Sequence, residues 1–264
     1  MSLPLLNRAV IKFHQQRKKL HVWRARRKNA DCSSDLGNFE RKVFSQSGED
    51  GIIEEIFNRV GEGTKFAVEF GIETGIECNS RNLIENRGWS AVLMDGSPEN
   101  IAAARRLYSG KPVQAIDRFI TVENIIDLFA SAGVPTALDL LSIDVDGNDY
   151  WLMAEILKGY APRVIVVEYN ARWVPPREWV VPYDPNFVWD WSVYFGASLQ
   201  SLANLAERHS YRLVACSNLG VNAFFVRSDL ADRFPTAHRG TSYHYRAPLY
   251  SRGFGHPVRP PARF

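Results

Sequence analysis

Two pairs of oxygen-bearing side chains stand where apolar runs end: Asp144 and Asp146 close LLSIDVDGND, and Glu168 and Asn170 close VIVVEYN. If each run is a strand that continues that far, a spacing of two points each pair to one side of a sheet. Four hard oxygens gathered in that way suit Mg²⁺ or another hard divalent cation. Such an ion bound to an alcohol lowers the pKa of its proton, which would make a hydroxyl nucleophilic. Other roles stay open, since Asp146 could simply start a turn with Gly147, or one aspartate could act as a base without metal. Asp146 and Asp149 are the candidate proton acceptors. His209, His244 and His256 are candidates only because imidazole titrates in a suitable range. Asp144, Asp146, Asn148 and Glu155 also fall at the first, third, fifth and last positions of an EF-hand-like loop. Asp149 stands where that loop needs glycine, and the run follows a strand rather than a helix, which excludes the EF-hand.

A second set of residues could hold a ligand. Val68-Glu69-Phe70-Gly71-Ile72-Glu73-Thr74-Gly75 reads as a strand followed by a glycine-bearing turn into a helix. Gly71 and Gly75 would let backbone approach a ligand closely, although plain packing of helix on strand asks for small residues too. Asp95, at the end of Ala91-Val92-Leu93-Met94-Asp95, lies about 20 residues beyond that turn, the place of a carboxylate that binds the ribose hydroxyls of an adenosine-containing cofactor. Ser97 and Pro98 then read as cap and first-turn residue of the next helix. Ala115-Ile116-Asp117 offers an apolar wall and a further carboxylate at a third strand end.

The elements that must position these residues alternate regularly. Strand-length runs at Lys65–Phe70, Ser90–Asp95, Pro112–Ile116, Leu138–Asp144, Arg163–Glu168, Tyr211–Cys216 and Asn222–Arg227 are separated by helical patterns. Those helices are read at Glu49–Val60, Gly75–Asn86, Pro98–Tyr108, Val122–Ala132, Asp149–Leu157 and Leu199–Arg208. The order predicts an α/β fold with a mainly parallel sheet covered on both faces. Only five residues, Ser217 to Val221, separate the last two strands, so those two form a hairpin. Between the fifth strand and the next helix, Ala171 to Gly196 holds eight aromatic residues and four prolines. So many aromatics argue against disorder and leave two readings, a packed structural insertion or a cover over a substrate site.

VEFGIETG, VLMDGSPEN, LLSIDVDGNDYW and VIVVEYN, taken in sequence, resemble the successive motifs of class I S-adenosylmethionine-dependent methyltransferases, especially the FkbM-like group, over roughly residues 44–227. The resemblance implies a Rossmann-like seven-stranded sheet with a terminal antiparallel hairpin and S-adenosylmethionine as cofactor. It implies that Glu69, Gly71 and Gly75 meet the amino-acid end of that cofactor and that Asp95 holds its ribose. Asp117 would lie by the adenine and Asp144 by the methionine part. Glu73 replaces the usual middle glycine. Metal-assisted O-methyltransferases such as catechol O-methyltransferase similarly place Asp at the fourth strand end and an acidic residue with Asn at the fifth. Asp144, Asp146, Glu168 and Asn170 would be the matching ligands for Mg²⁺ or another divalent ion. The acceptor implied is a hydroxyl of a sugar, glycan or glycosylated metabolite, since flat aromatic rings pack on sugar C–H faces. Upstream, Phe44 to Ile53 resembles a segment that precedes the first strand in related proteins, with Gln46 or Glu49 either capping a helix or facing the ligand.

Composition bounds these readings. The net charge of +3 hides nine Lys/Arg and no acid in residues 1–30, six Lys/Arg and no acid after Asp232, and an acidic body of −12 between them. That body disfavours a nucleic-acid partner, which is normally met by a basic face. The expected organisation is a basic extension over 1–40, a methyltransferase domain over 41–232 with its insertion at 171–196, and a basic tail over 233–264. Leu6, Val10 and Phe13 could share one helical face, so the extension is read either as a solvated or partner-docking helix or as a peripheral contact with an anionic membrane. No apolar run approaches the roughly 20 residues that span a bilayer. Cys32, Cys78 and Cys216 form neither a CxxC pair nor a cluster, and a cytoplasmic location is expected, with attachment to the inner membrane face as the alternative. Two rival functions are weighed. A nicotinamide-dependent reductase lacks support, because GxGxxG spacing and a Tyr-x-x-x-Lys pair are both missing. A non-catalytic binding or scaffold protein would keep the fold and lose the turnover. Oligomeric state is not legible.

Overall fold

The computed structural model describes residues 35–248. The amphipathic pattern at Leu6 to Phe13, Cys32 and His256 lie outside them. Among the described residues no helix is long and apolar enough to cross a membrane.

Helix α1 (Glu49–Val60) buries Ile52, Ile53, Ile56, Phe57 and Val60, and Gly61, at a φ of +74°, ends it. Strand β1 (Phe66–Phe70) follows, then α2 (Arg81–Arg87), β2 (Ser90–Asp95), α3 (Pro98–Leu107) and β3 (Val113–Asp117). The second half runs α4 (Ile125–Ser131), β4 (Leu140–Ile143), α5 (Asp149–Ile156), β5 (Val164–Glu168), α6 (Leu199–Arg208), β6 (Tyr211–Cys216), β7 (Asn222–Arg227) and the short α7 (Thr241–His244). The Ser97 hydroxyl accepts the Asn100 N–H at 3.2 Å and Pro98 opens α3, the cap read from the sequence.

Seven strands form one sheet in the order β3-β2-β1-β4-β5-β7-β6, with β7 antiparallel to both neighbours. The chain builds outward from β1 to β3, then returns across β1 to lay β4 on its other side. Loops at the carboxyl ends of β1 and β4 therefore leave in opposite directions and open a crevice between them. The strands are apolar on both faces because helices cover both. Val68, Phe70, Leu141 and Ile165 pack with Phe129, Leu152 and Leu202 on one side, whereas Ala67, Leu93, Leu140 and Val166 pack with Ile52, Phe57 and Ile101 on the other.

Two elements differ from the sequence expectation, the helix after β1 and the end of β4, while β5 ends at Glu168 as read. The helix after β1 begins at Arg81 rather than at Gly75, because residues 72–80 are held as an open turn by a side chain from the strand. β4 stops at Ile143 and β5 at Glu168, so neither alternates through the second oxygen of its pair.

Candidate active site

The turn after β1 is built around Glu69, which is 5% exposed. Its carboxylate accepts the backbone N–H of Asn79 at 2.7 Å and of Ser80 at 2.8 Å, and also the Ser80 hydroxyl. Burial raises its pKa against these bonds, which favour the charged form. Glu69 thus shapes the loop that borders the crevice. Gly71, exposed at a φ of +66°, lies so close to β4 that a β-carbon there would stand 1.6 Å from the Asp144 carbonyl oxygen. Gly75 is explained by packing instead: it is buried, its carbonyl accepts the Tyr108 hydroxyl at 2.8 Å, and an added β-carbon would meet that ring at 3.0 Å. Glu73 holds a left-handed φ of +48°, the conformation that normally calls for glycine.

That conformation turns the Glu73 N–H onto Oδ2 of Asp95 at 2.9 Å. Oδ1 of Asp95 accepts Ser97 N–H at 2.8 Å and the Asn100 amide at 3.1 Å. Three of the roughly four acceptor positions of the carboxylate are therefore occupied, which leaves one for a ligand hydroxyl rather than two. Asp117 stands beside Asp95 in the β2–β3 register. Phe119, 49% exposed, lays its ring over Gly96, where a β-carbon would come within 3.1 Å of it.

On the other side of the crevice, one carboxylate oxygen from each of Asp144, Asp146 and Glu168 lies within 4.8 Å of the others. Asp146 reaches the group through a φ of +56°, a turn, not through strand alternation. Burial, then the charges of Asp149 and Asp146, push Asp144 well above the usual carboxylate range. Burial, then Asp144 and its two neighbours, do the same to Glu168. The protein packed around the Asp146 carboxylate, and then Glu73, raise Asp146 as well, although that residue is exposed overall. Among the described residues none of the three enters an ion pair, and Oε2 of Glu168 is sealed from solvent with no hydrogen-bond partner. Three hard oxygens with an orphaned acceptor fit a divalent cation, and Asp144, Asp146 and Glu168 would hold it.

Two predicted members stand apart. The Asn170 amide donates to the carbonyls of Val193 and Phe195, both at 3.0 Å, and its oxygen accepts Arg172 N–H at 3.2 Å, so it ties down the insertion. Asp149 is buried at the start of α5 and accepts Val145 N–H and Gly147 N–H, each at 2.9 Å. Both its oxygens shape the β4 turn. Burial brings its pKa up to about 6. Of the upstream candidates, Gln46 is exposed, and Glu49 is 1% exposed and accepts from Ser47 N–H and the Asn222 amide. His209 caps α6, and His244 is buried by Thr236.

The aromatic insertion covers this side of the crevice. Phe187 presses on Gly147, where a β-carbon would lie 2.3 Å from its ring, and the Asn148 amide donates to the Asp184 carbonyl at 2.8 Å. Trp151 donates to the Val181 carbonyl at 2.9 Å, and Tyr183 donates to Glu123 at 2.6 Å. Trp189 and Trp191 pair at 4.8 Å between ring centroids, with Trp191 63% exposed. Phe119, Phe187 and Asn222 escaped the sequence reading. Only the general signal of an aromatic-rich loop pointed toward Phe187.

A crevice at the switch between β1 and β4, a carboxylate at the end of β2, and a sheet closed by an antiparallel β7 define the class I methyltransferase fold. No family model matches the sequence, and no curated protein does. Among solved structures the chain is similar to an O-methyltransferase from Bacillus cereus in complex with SAH, at 16% identity over 78% of this chain and 88% of the other, with a TM-score of 0.46. A putative O-methyltransferase from Klebsiella pneumoniae is similar at 15% identity over 78% and 90%, with a TM-score of 0.44. The N-terminal domain of EvdMO1, solved in the presence of SAH and D-fucose, is similar at 14% identity over 67% and 81%, with a TM-score of 0.43.

Proposed function

We propose that this chain transfers a methyl group from S-adenosylmethionine to a hydroxyl of a sugar, glycan or glycosylated metabolite, with a divalent cation assisting. One observation carries the reading: the crevice places an open glycine turn and the Asp95 carboxylate on one side, and three converging carboxylates beneath an aromatic cover on the other. This division suits two ligands meeting end to end. Gly71 admits the amino-acid end of the donor, Asp95 holds its ribose through the free acceptor position, and Phe119 with Ile116 walls the adenine.

When bound, the donor supplies an electrophilic methyl on a sulfonium, and the cation supplies charge that acidifies the acceptor hydroxyl. The chain's own residues align the partners, which provides much of the rate in such a displacement. Asp144, Asp146 and Glu168 would hold the cation, which would place positive charge beside the acceptor oxygen. Asp146, at the mouth, takes the proton from the hydroxyl as the new carbon–oxygen bond forms and the carbon–sulfur bond breaks. Asp149 stays a shaping residue because both its oxygens are engaged by backbone. The insertion favours a sugar, with Phe187 offering a flat apolar face against Gly147, next to Asp146.

Titration calorimetry with S-adenosylmethionine tests the donor, with Asp95→Ala expected to weaken binding by roughly tenfold or more, the loss of one hydrogen bond to a carboxylate. Labelled methyl donor and fractionated lysate then show whether small metabolites, glycans or lipid-linked saccharides take the label. Absence of donor binding, together with indifference to Asp95→Ala, would overturn the assignment.

A further inference from the structure

Two sealed oxygens without hydrogen-bond partners belong to residues that face each other across the sheet, Oε2 of Glu168 and Oδ1 of Asn222. Glu168 and Asn222 are directly opposed in the antiparallel β5–β7 pair, so their side chains leave the same face with β-carbons about 5 Å apart. Asn222 is 6% exposed. Its amide nitrogen donates to Oε1 of Glu49 at 3.2 Å, and turning the amide over would set Oδ1 against that carboxylate. The Glu49 bond therefore fixes Oδ1 as an acceptor with nothing to accept from. A buried acceptor left alone in this way is destabilising. A proton on Glu168 or one water could relieve the pair, but either would leave Asp144 and Asp146 facing each other without a counter-charge. A cation answers all four oxygens.

We propose that Asn222 is a neutral ligand of a divalent-cation site made with Asp144, Asp146 and Glu168, the amide oxygen of the set coming from β7 and not from Asn170. A neutral oxygen adds a hard ligand without a fourth negative charge, which suits a doubly charged ion already facing three carboxylates. Glu49, by holding the amide, acts as the positioning residue behind the ligand. The inference deepens the metal-assisted part of the proposed function, yet its test requires neither methyl donor nor acceptor, so the two readings can fail separately.

Mn²⁺ binding to the full chain, followed by the paramagnetic resonance of the free ion, reads the site directly. The wild-type chain is expected to bind one ion, Asp144→Asn to abolish binding, and Asn222→Leu to weaken it by roughly tenfold or more. Asn222→Asp, which adds a fourth charge and sets a carboxylate oxygen against Glu49, is expected to weaken binding as Asn222→Leu does. No Mn²⁺ binding by the wild type, or wild-type affinity in Asn222→Leu, would overturn the proposal. Should Asn222→Leu fail to fold, the Asn222 side-chain amide resonance, assigned by its absence in Asn222→Asp, serves in the wild-type chain. A shift of its carbonyl carbon on saturation with diamagnetic Mg²⁺ supports ligation, and an unmoved carbonyl carbon refutes it.

Discussion

The carbonyl oxygen of Asp144 occupies the space where a β-carbon on Gly71 would stand, 1.6 Å from its ideal position. The turns after β1 and β4 are thus in backbone contact at the floor of the crevice. Gly71 also donates its N–H to the Met94 carbonyl at 3.1 Å, which fixes the turn from the β2 side. The carbonyl that excludes a side chain at Gly71 belongs to a residue of the carboxylate cluster, so the glycine turn and the cluster share one piece of backbone.

Gly71→Ala should therefore damage both halves. The substitution puts a β-carbon into a backbone atom at a left-handed φ, so no side chain can give way. Urea denaturation should show a loss of roughly 2–4 kcal/mol. Calorimetry on whatever fraction stays folded should show weakened donor and Mn²⁺ binding together. A variant with wild-type stability and both affinities intact would mean that the two turns are free to part.

Phe187→Ala should separate the acceptor from the donor. Phe187 is partly exposed and packs on Gly147, so its loss removes one contact of the insertion with the β4 turn but little of the core. Thermal unfolding should move by only a few degrees, in line with a loss near 1 kcal/mol. Donor affinity should stay unchanged. KM for the methyl acceptor identified by labelling should rise by roughly tenfold, with kcat less affected. A fall in donor affinity instead would assign Phe187 to the other half of the crevice.

His244 makes the C-terminal strap sensitive to acid. It is 3% exposed and bonds to the Thr236 carbonyl at 3.0 Å; burial lowers its pKa to about 4, with Arg246 acting in the same sense and Asp35 against it. Because the folded pKa lies below the unfolded value of about 6.5, the contribution is fully present above pH 6.5 and is lost as pH falls toward 4. The order of magnitude is up to roughly 3 kcal/mol. Carboxylates titrate in the same window, so the useful quantity is the difference in urea stability between wild type and His244→Gln. That difference should shrink between pH 7 and pH 4.5, and a difference independent of pH would remove His244 as the cause. Hydrogen exchange should locate the loss in residues 228–246.

The strand-end residues were legible because a parallel sheet puts each carboxyl end on one rim. Glu69, Asp95 and Asp144 could be placed there from apolar runs alone. What failed was the extension of that rule past the strand. Asp144 and Asp146 do converge, yet through the φ of +56° at Asp146, and the Asn170 amide, beyond the end of β5 at Glu168, is engaged by carbonyls of the insertion. Gly75 looked like a ligand contact and is a packing residue, since the sequence cannot show that Tyr108 of α3 comes to lie on it.

By itself the sequence determined the alternation of strands and helices, the terminal hairpin, and which carboxylates end strands. These follow from local periodicity and turn chemistry, which act over a few residues. Only the tertiary structure decided that Asp144 stands against Gly71, that Phe187 covers Gly147, and that Asn222, not Asn170, faces Glu168. Those relationships depend on strand order and on the antiparallel register of β7, pairings between residues 40 to 70 or more positions apart in the chain, where periodicity carries no information.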